Sequence, residues 1–387
     1  MKKIHSEYNP EREAERYIAQ MALQESIKYF ILLECGICYV IPYLRQRNRN
    51  AKIISLHISA DYISSNSFVP PQNIPDAEWS PESKISCSDF LEKEIEDIES
   101  DKIKIIEWRP ALSLGGEKYL ALLKEAARFI KWTDANKRTI THFSSRWQRN
   151  ARKNRDIAQR GFHPVHSNKK NIIICASGPG LENDIDIIKE MKAKNGSELL
   201  AVSSAYSALI AHNIVPDIMI TSDGGNWARF HLYEAARFSG NMLVVATLHA
   251  ALLSDFSTFP LLLFSDGTDG EEKLLEGAPI LHWRLPARGT VTANAIDFAL
   301  RWTEGDVYIT GLDLANNDIC SHARPYSFDM LLWQKSNRFN PYYHEHYKRA
   351  RAIEEGGAYT LYNEWFKKEL PKYSPRLFFL SGNYSVE

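Results

Sequence analysis

Apolar residues in this chain fall into short runs separated by polar turns, and the clearest series lies between residues 171 and 223. The runs at 171–175, 199–202 and 218–220 are short, rich in Ile, Leu and Val, and end in small or polar residues. Segments with helical spacing lie between them. Strands that alternate with helices in this way predict a doubly wound, mostly parallel α/β sheet.

The first of these strands runs directly into a glycine-containing turn, Ser177-Gly178-Pro179-Gly180, which precedes a predicted helix. Backbone N–H groups at such a helix start point outward and favour a bound anion. The turn therefore predicts a phosphate-containing ligand. A helix-start turn that binds nothing is the alternative.

Two common phosphate-binding motifs are absent here. If Gly178 and Gly180 were the first two glycines of a dinucleotide fingerprint, Asn183 would occupy the position of the third. The next strand ends in Ser203-Ser204, where a ribose-binding Asp or Glu is required. No Gly-Lys-Ser/Thr follows the turn, so the pattern excludes a P-loop as well.

A second segment that is rich in polar residues spans 288–329. Its first part includes Arg288, Thr290 and Thr292, before a predicted helix, and its strand at 307–309 leads into Gly311-Leu312-Asp313. In a parallel sheet the carboxyl ends of the strands meet at the ligand crevice. We therefore expect a nucleotide site there; its predicted contact residues are Ser177, Gly178, Pro179, Ser203, Ser204, Asp223, Arg288, Thr290, Thr292, Gly311 and Asp313. Asp313 could instead only cap a turn.

The pattern divides the chain into four predicted parts. Residues 1–110 form a small α/β domain with strands at 29–33, 52–59 and 103–108 and an acidic helix near 91–100. Residues 111–160 form a helical linker, 161–330 the doubly wound domain with the predicted phosphate-binding turn, and 331–387 an aromatic-rich segment with two helices that could act as a lid.

Composition excludes several classes of protein. The chain has 387 residues, 44% hydrophobic and 25% charged, with a net charge of −1, which disfavours nucleic acid as a partner. No apolar run is long enough to span a membrane, and the N-terminus lacks the apolar core of a signal peptide. Five sparse cysteines indicate a reducing compartment, the cytoplasm.

Two short motifs have simple structural interpretations. Cys35 and Cys38 form a C-x-x-C without a second cysteine pair, which favours packing over zinc or redox chemistry. Asp184 and Asp186 form a D-x-D that we interpret as a pair on a helix surface, so no metal is expected.

A basic cluster is interpreted as a solvated helix packing on Phe143 and Trp147, with a positive rim beside the phosphate site as the alternative. Trp147, Asn150 and Asn154 share one face of that helix. The cluster consists of Lys137, Arg138, Arg146, Arg149, Arg152, Lys153, Arg155 and Arg160.

Residues 172–223, with Ala176-Ser177-Gly178-Pro179 and Ile214-Val215-Pro216-Asp217, resemble the MptE-like central domain of the motility-associated factor (Maf) flagellin glycosyltransferases. Further matching motifs are Gly311-Leu312-Asp313-Leu314-Ala315, Ser321-His322-Ala323, His5-Ser6-Glu7-Tyr8-Asn9-Pro10, Glu13-Ala14-Glu15 and Trp147-Gln148-Arg149-Asn150 with Asn154. The resemblance therefore covers most of the chain, and is weakest over the last 50 or so residues.

The same core resembles CMP-sialic-acid-dependent sialyltransferases, through Gly178-Pro179, Arg288 with Thr290, Gly311-Leu312-Asp313 and Tyr326-Ser327-Phe328-Asp329. These resemblances imply a Rossmann-like, sialyltransferase-like fold. They also imply transfer of a nonulosonic acid, of the pseudaminic or legionaminic type, from its CMP ester to serine or threonine hydroxyls of flagellin.

The sialyltransferase resemblance also implies roles for individual residues. Tyr326 matches the tyrosine that steadies the leaving phosphate. Ser177 and Ser204 stand where that pattern has nucleotide-binding asparagines. The base falls among His322, His344 and His346. We expect His322, because it lies on the loop that leaves a central strand, whereas His344 and His346 lie at a predicted helix start.

The expected chemistry needs no metal, because a CMP leaving group departs as a phosphate monoester that hydroxyls and a helix N-terminus can stabilise. Two alternative functions stay open. The core also resembles archaeal 6-hydroxymethylpterin diphosphokinases, which would require ATP and magnesium, with Asp223, Asp266 and Asp269 as available carboxylates. The other is a non-catalytic nucleotide-binding module. The sequence makes no prediction of oligomeric state.

Overall fold

The structure is a computed structural model that describes residues 4–60, 69–95, 100–159, 170–238, 241–265, 269–276, 282–285, 288–355, 358–373 and 375–380. The chain forms two compact units, Met1–His142 and Phe143–Glu387. The division falls within one long helix. This division into two units does not test the limits of the four predicted parts of the chain, which stay predictions.

The first unit contains a sheet of four described strands with all pairs parallel. Its strands are β1 (Tyr29–Leu33), β2 (Lys52–Leu56), β3 (Ala77–Trp79) and β4 (Ile103–Glu107), in the order β3-β2-β1-β4. Its helices are α1 (Pro10–Ala19), α2 (Ile41–Arg47), α3 (Cys87–Glu94) and the long α4 (Arg109–Ala158), which continues into the second unit. The three predicted strands are confirmed: β1 has the predicted ends, β2 ends three residues earlier and β4 one residue earlier.

The acidic helix of the first unit starts earlier than the sequence predicted. Ser86 caps α3 by accepting a hydrogen bond from the backbone N–H of Asp89 at 3.1 Å, so the helix begins at Cys87 and ends at Glu94. Residues 96–99, in the rest of the predicted helix, lie outside the described residues.

The C-x-x-C is packed into the first unit, as predicted. Cys35 and Cys38 are both buried and both free thiols. Burial raises the pKa of the Cys38 thiol to about 12, so the reactive thiolate form is strongly disfavoured.

The second unit contains a sheet of eight described strands, again with all pairs parallel. Its strands are β5 (Ile172–Cys175), β6 (Glu198–Val202), β7 (Ile218–Thr221), β8 (Leu243–Thr247), β9 (Leu261–Ser265), β10 (His282–Arg284), β11 (Val307–Thr310) and β12 (Leu377–Phe379). Its further helices are α5 (Ile185–Asn195), α6 (Tyr206–Ala211), α7 (Asp269–Leu275), α8 (Val291–Trp302), α9 (Asp329–Lys335), α10 (Tyr342–Glu355) and α11 (Ala358–Glu369).

The strand order of this sheet is β10-β9-β8-β7-β6-β5-β11-β12. The chain therefore adds β6 to β10 on one side of β5, and β11 and β12 on the other. Strands β5, β7, β8 and β9 are buried along their whole length, which explains their continuous apolar sequences. The doubly wound prediction is confirmed, and its switch point lies between β5 and β11, where ligands bind in such sheets.

Two parts of the fold carry structure that the sequence did not indicate. β12 pairs with β11, so the C-terminal segment supplies an edge strand in addition to helices; three residues are too few to show a strand pattern. The helical prediction for 111–160 is confirmed by α4, although Gly116, with φ +49°, interrupts its regular geometry.

Asp184 is not part of a surface pair. It is the last residue of a 3-10 helix, Pro179–Asp184, and lies 1% exposed in the core, where it accepts a hydrogen bond from the Thr310 hydroxyl at 2.6 Å. Asp186, in the first turn of α5, is exposed. The D-x-D interpretation was therefore wrong for Asp184, because the 3-10 turn directs it inward.

The predicted polar face of α4 is partly buried, not fully solvated. The Asn150 amide donates to the carbonyls of Gly224 and His249, and the Asn154 amide to those of Leu248 and Ala250. Trp147 stacks on Phe143, with a centroid distance of 6.1 Å. This face therefore fixes the loops that follow β7 and β8. Across the described chain, no helix is both long and apolar enough to cross a bilayer.

Candidate functional site

The turn after β5 is locked to the turn after β11. The N–H of Gly178 donates to the carbonyl of Gly311 at 2.8 Å, and the N–H of Gly180 donates to the Asp313 carboxylate at 2.8 Å. A Cβ atom at Gly178 or Gly180 would overlap that carboxylate. Both glycines are therefore needed for the approach of Asp313, which occupies one of the N–H groups that the sequence had predicted to face a ligand.

The Asp313 carboxyl group has an unusual environment. Burial raises its pKa, the hydrogen bond from Gly180 opposes that rise, and the nearby carboxylate of Asp184 adds to it. Gly311 itself has φ +68°, a left-handed conformation that glycine adopts without strain. Asp313 thus caps the turn at the switch point of the sheet.

Two serine hydroxyls meet at the ends of β5 and β6. The Ser204 hydroxyl donates to that of Ser177, with an oxygen–oxygen distance of 2.8 Å, and both side chains are half-buried. Ser203 is buried, and its hydroxyl donates to Thr221 at 3.4 Å. Ser177 and Ser204 therefore offer hydroxyls near the crevice, whereas Ser203 joins the ends of β6 and β7.

Pro179 and Asp223 shape turns at the same edge. Pro179 is buried and begins the 3-10 helix that leads into α5. Asp223 is exposed after β7, and its carboxylate accepts a hydrogen bond from the N–H of Gly225 at 2.7 Å. Burial raises the pKa of Tyr362, and the charge of Asp223 adds to that rise; at Tyr326, Asp223 is the last of several charges that act after burial.

The residues predicted before α8 hold the start of that helix. Arg288 is ion-paired with Asp297 at 2.6 Å and donates to the Tyr373 hydroxyl at 3.0 Å. The Thr290 hydroxyl caps α8 by accepting from the N–H of Ala293 at 3.1 Å, and Thr292 lies half-buried in the first turn. Arg288 and Thr290 therefore already have partners within the protein.

The loop 321–329 lies directly against the glycine turn. The N–H of Ala323 donates to the Ser177 carbonyl at 2.9 Å, and the N–H of Arg324 donates to the Glu182 carboxylate at 2.7 Å. The loop carries His322, whose ring stacks on Tyr326 with centroids 4.2 Å apart. The structure therefore brings together the Ser177 turn and two of the predicted catalytic side chains.

His322 is uncharged in this environment. Burial lowers its pKa to about 3, and the charges of Arg349 and His231 act in the same direction. One ring nitrogen, Nδ1, lies 2.9 Å from the Ser321 hydroxyl. A neutral imidazole keeps one nitrogen lone pair, so His322 can accept a hydrogen bond. A pKa this far below neutral makes it a weak base until a neighbouring negative charge raises that pKa.

His231 was missed by the sequence interpretation. It ends a 3-10 helix, Asn226–His231, and its Nδ1 lies 3.1 Å from the Ser327 hydroxyl. Its ring lies against Tyr326 and Phe328, at centroid distances of 5.4 and 5.0 Å. Burial lowers its pKa to about 4, with Arg349 as the second cause. A six-residue 3-10 helix carries no periodic signal that could have identified it.

The other two candidate histidines lie on α10. His346 is buried, with Nδ1 3.3 Å from the Arg324 guanidinium and Nε2 3.8 Å from Asp329. His344 is half-buried and stacks on Tyr347 at a centroid distance of 6.3 Å. Of the three, His322 is the one that packs on Tyr326.

A magnesium site for the alternative function has little support in the described parts of the chain. Among these residues, no group of three or more His, Cys, Asp or Glu side chains is arranged to hold a metal ion. Asp266 and the side chain of Asp269 lie outside the described residues. Independence from metal stays a prediction.

Residues 145–318 match the family described as 6-hydroxymethylpterin diphosphokinase MptE-like. A curated relative, an uncharacterized protein of Treponema pallidum (strain Nichols), is 27% identical over 257 residues, covering 66% of this chain and 54% of the relative. The chain thus spans about half the length of that relative.

A solved structure of a Maf glycosyltransferase from Magnetospirillum magneticum AMB-1 has the same fold, with a TM-score of 0.53 and 14% sequence identity. The match covers 80% of this chain and 57% of that one. The predicted resemblance is confirmed at the level of fold and domain: residues 145–318 match the MptE-like family, and the chain shares the fold of a Maf glycosyltransferase.

Proposed function

We propose that this chain is a glycosyltransferase that moves a nonulosonic acid, of the pseudaminic or legionaminic type, from its CMP ester to serine or threonine hydroxyls of flagellin. One observation carries the proposal: the hydrogen bond from the Ala323 N–H to the Ser177 carbonyl joins the loop that carries His322 and Tyr326 to the turn that carries the Ser177–Ser204 pair. Groups suited to nucleotide binding and groups suited to proton transfer are therefore neighbours at the switch point of the sheet.

The donor nucleotide would lie along the ends of β5 and β6. The hydroxyls of Ser177 and Ser204 can each donate and accept hydrogen bonds, as a cytidine nucleotide requires. The Tyr326 oxygen already accepts a hydrogen bond from Arg349 at 2.9 Å, so its own proton is free to face a phosphate oxygen. Burial raises the pKa of Tyr326, which keeps that proton in place.

The transfer step can be written with these residues alone. An acceptor hydroxyl oxygen forms a bond to the anomeric carbon of the sugar while the bond from that carbon to the phosphate oxygen breaks. CMP leaves with the bonding electron pair, and the hydroxyl proton passes to His322. Such a base typically contributes a factor of about 10²–10⁴ to the rate. We propose the cytoplasm as the compartment of this reaction, in keeping with the sparse free cysteines.

A second candidate is an ATP-dependent diphosphokinase, which the description of the matching family favours. That reaction needs magnesium held by carboxylates near the strand ends. Asp223, the one candidate ligand whose side chain is described, is exposed and accepts the N–H of Gly225. The two candidates differ in nucleotide and in metal requirement.

A transfer assay in EDTA separates them. Purified protein is incubated with recombinant flagellin and CMP-pseudaminic or CMP-legionaminic acid, and the mass of intact flagellin is measured. The proposal predicts the addition of whole sugar residues, undiminished by EDTA. The diphosphokinase would be favoured by a different result: release of AMP when the protein is incubated with ATP and a pterin substrate, in a reaction that stops in EDTA and resumes when magnesium is added.

A further inference from the structure

Arg349, on α10, carries a half-buried positive charge without a carboxylate partner. In the described ranges, no Asp or Glu oxygen lies within ion-pairing distance of its guanidinium. Two other arginines of this unit are neutralised: Arg324 pairs with Asp329 at 2.9 Å, and Arg288 pairs with Asp297 at 2.6 Å. Arg349 is thus a cation placed at the crevice without a counter-ion.

The contacts of Arg349 leave most of its donors unused. Nη2 donates to the Tyr326 hydroxyl at 2.9 Å, and the guanidinium lies over the rings of Tyr326 and Phe328, 5.0 and 4.9 Å from their centroids. Nε is buried and has no hydrogen-bond acceptor. A guanidinium has five N–H donors, and burying it without acceptors or a counter-charge is costly. An incoming anion would relieve that cost.

The charge of Arg349 acts on the same side chains that border the proposed reaction. After burial, it is the next cause of the lowered pKa values of His231 and His322. The positive charge of Arg349 therefore acts on both His231 and His322, whose rings each lie against Tyr326. Asp329, a nearby carboxylate, is already paired with Arg324.

We propose that Arg349 binds an anionic group of the donor substrate, either the phosphate of the nucleotide or the carboxylate of the sugar acid. The inference rests on the proposed function and identifies a binding residue for it. A planar guanidinium can form two parallel hydrogen bonds to either group, and stacking on two rings fixes its orientation in advance.

A purely structural role is the competing explanation. Stacking of Arg349 on Tyr326 and Phe328 would then only attach the loop 321–329 to α10. In that case substitution would lower stability without changing how binding depends on the charge of the ligand. The dependence on ligand charge is therefore the quantity to measure.

The experiment is a calorimetric titration of the full chain with cytidine, CMP and CMP-N-acetylneuraminate. Cytidine is a neutral nucleoside, CMP adds a phosphate to it, and CMP-N-acetylneuraminate adds a sugar that has a carboxylate. The proteins are wild type, Arg349→Met and the control Arg351→Met, which removes an exposed arginine of α10 that pairs with Glu355 at 2.9 Å. A charged hydrogen bond is worth about 1.5–3 kcal/mol, which corresponds to a change in affinity of roughly 10–100-fold.

We expect Arg349→Met to bind cytidine as tightly as wild type does, within about 2-fold. In wild type the affinity should rise from cytidine to CMP or from CMP to CMP-N-acetylneuraminate, and Arg349→Met should reduce one of these two increases by about 10-fold or more. A loss between cytidine and CMP identifies the phosphate, and a loss between CMP and CMP-N-acetylneuraminate identifies the carboxylate. Arg351→Met should keep both gains. If Arg349→Met keeps both gains, the proposal is overturned.

A second variant covers failure of Arg349→Met to fold, which near-ultraviolet circular dichroism would reveal. Arg349→Lys keeps the charge but loses the planar fork, so it should lose part of the same gain; unchanged gains would overturn the proposal. No binding of CMP by folded wild type would overturn the proposed function, and this inference with it. That result differs from the one that overturns this inference alone, in which wild type and Arg349→Met bind CMP and CMP-N-acetylneuraminate with equal affinity.

Discussion

The backbone N–H of Gly180 donates a hydrogen bond to the carboxylate of Asp313 at 2.8 Å, joining two turns that are 133 positions apart in the sequence. The turns follow β5 and β11, the two neighbouring strands at the switch point of the sheet. Asp313 therefore fixes the turn after β5 relative to the turn after β11.

Substitution of Gly180 by alanine should destabilise this turn. The new methyl group would overlap the Asp313 carboxylate, which would have to move and give up its hydrogen bond. Overpacking of this kind typically costs about 1–3 kcal/mol. Urea denaturation of Gly180→Ala against wild type measures the loss.

The matched control for that substitution is Gly270→Ala. No atom lies within 4 Å of a Cβ built at Gly270, which is exposed on α7, so alanine there should leave stability unchanged or raise it slightly. Equal stability of Gly180→Ala and wild type would mean that Asp313 does not constrain the turn.

The Ser177–Ser204 pair should contribute to nucleotide affinity. Each hydroxyl would supply a hydrogen bond worth about 0.5–1.5 kcal/mol, so Ser177→Ala and Ser204→Ala should each weaken CMP binding by roughly 2–13-fold. Because the two oxygens are 2.8 Å apart, the double variant should lose less than the two single losses combined. Ser207→Ala, on α6, is the control, and a loss there equal to that at Ser177 would contradict the assignment.

The strands whose ends carry these residues could be predicted from the sequence because β5 and β7 are buried along their whole length, and β6 and β11 are buried at all but one position each. The local sequence alone identifies the run 171–175 as a strand, because a short, uninterrupted apolar segment before a glycine turn is typical of a buried strand in an α/β protein. Once the strands are parallel, their ends must meet, so Ser177, Ser204 and Asp313 could be grouped before any contact was known.

Contacts between distant segments could not be predicted in this way. His231 reaches Ser327 across 96 positions, and nothing in either local pattern indicates the other. Arg349 is one of several charged residues of α10, and the lack of a paired carboxylate among the described residues is a property of its folded surroundings. Asp184 was placed on a surface because a 3-10 turn, which rotates it toward Thr310, has no distinct sequence period.

Removal of the His322 imidazole should abolish most turnover while leaving CMP binding nearly normal. The expected loss is about 10²–10⁴-fold in kcat, the usual contribution of a general base. The control is His344→Ala, since His344 stacks on Tyr347 and, among the described residues, its ring does not pack on Tyr326. Turnover retained in His322→Ala but lost in His344→Ala, His346→Ala or His231→Ala would assign the base elsewhere.

Stability should fall as the pH falls below about 6.5. The folded-state pKa values are about 4 for His231 and about 3 for His322, below the usual value of 6.5, so between these limits the unfolded chain binds protons that the folded chain does not. Each histidine should then remove up to about 1.4 kcal/mol per pH unit. Urea denaturation at pH 7.5 and 5.0 measures this slope.

The variants His231→Gln and His322→Gln should each reduce that dependence on pH. His212→Gln, at the end of α6 and partly exposed, should not. A slope that is the same in wild type and in both crevice variants would mean that neither histidine is held neutral by the fold.

The central claim, that the edge of the sheet around Ser177, Ser204 and Asp313 binds a cytidine nucleotide, is tested most directly by titration calorimetry on the folded protein. The titrants are CMP and CDP without metal, and ATP with magnesium, against wild type and Ser204→Ala. The account predicts heat of binding with CMP and CDP, weakened in Ser204→Ala, and none with ATP and magnesium. Binding of ATP with magnesium alone, or no binding of either cytidine nucleotide to a protein shown to be folded, would contradict it.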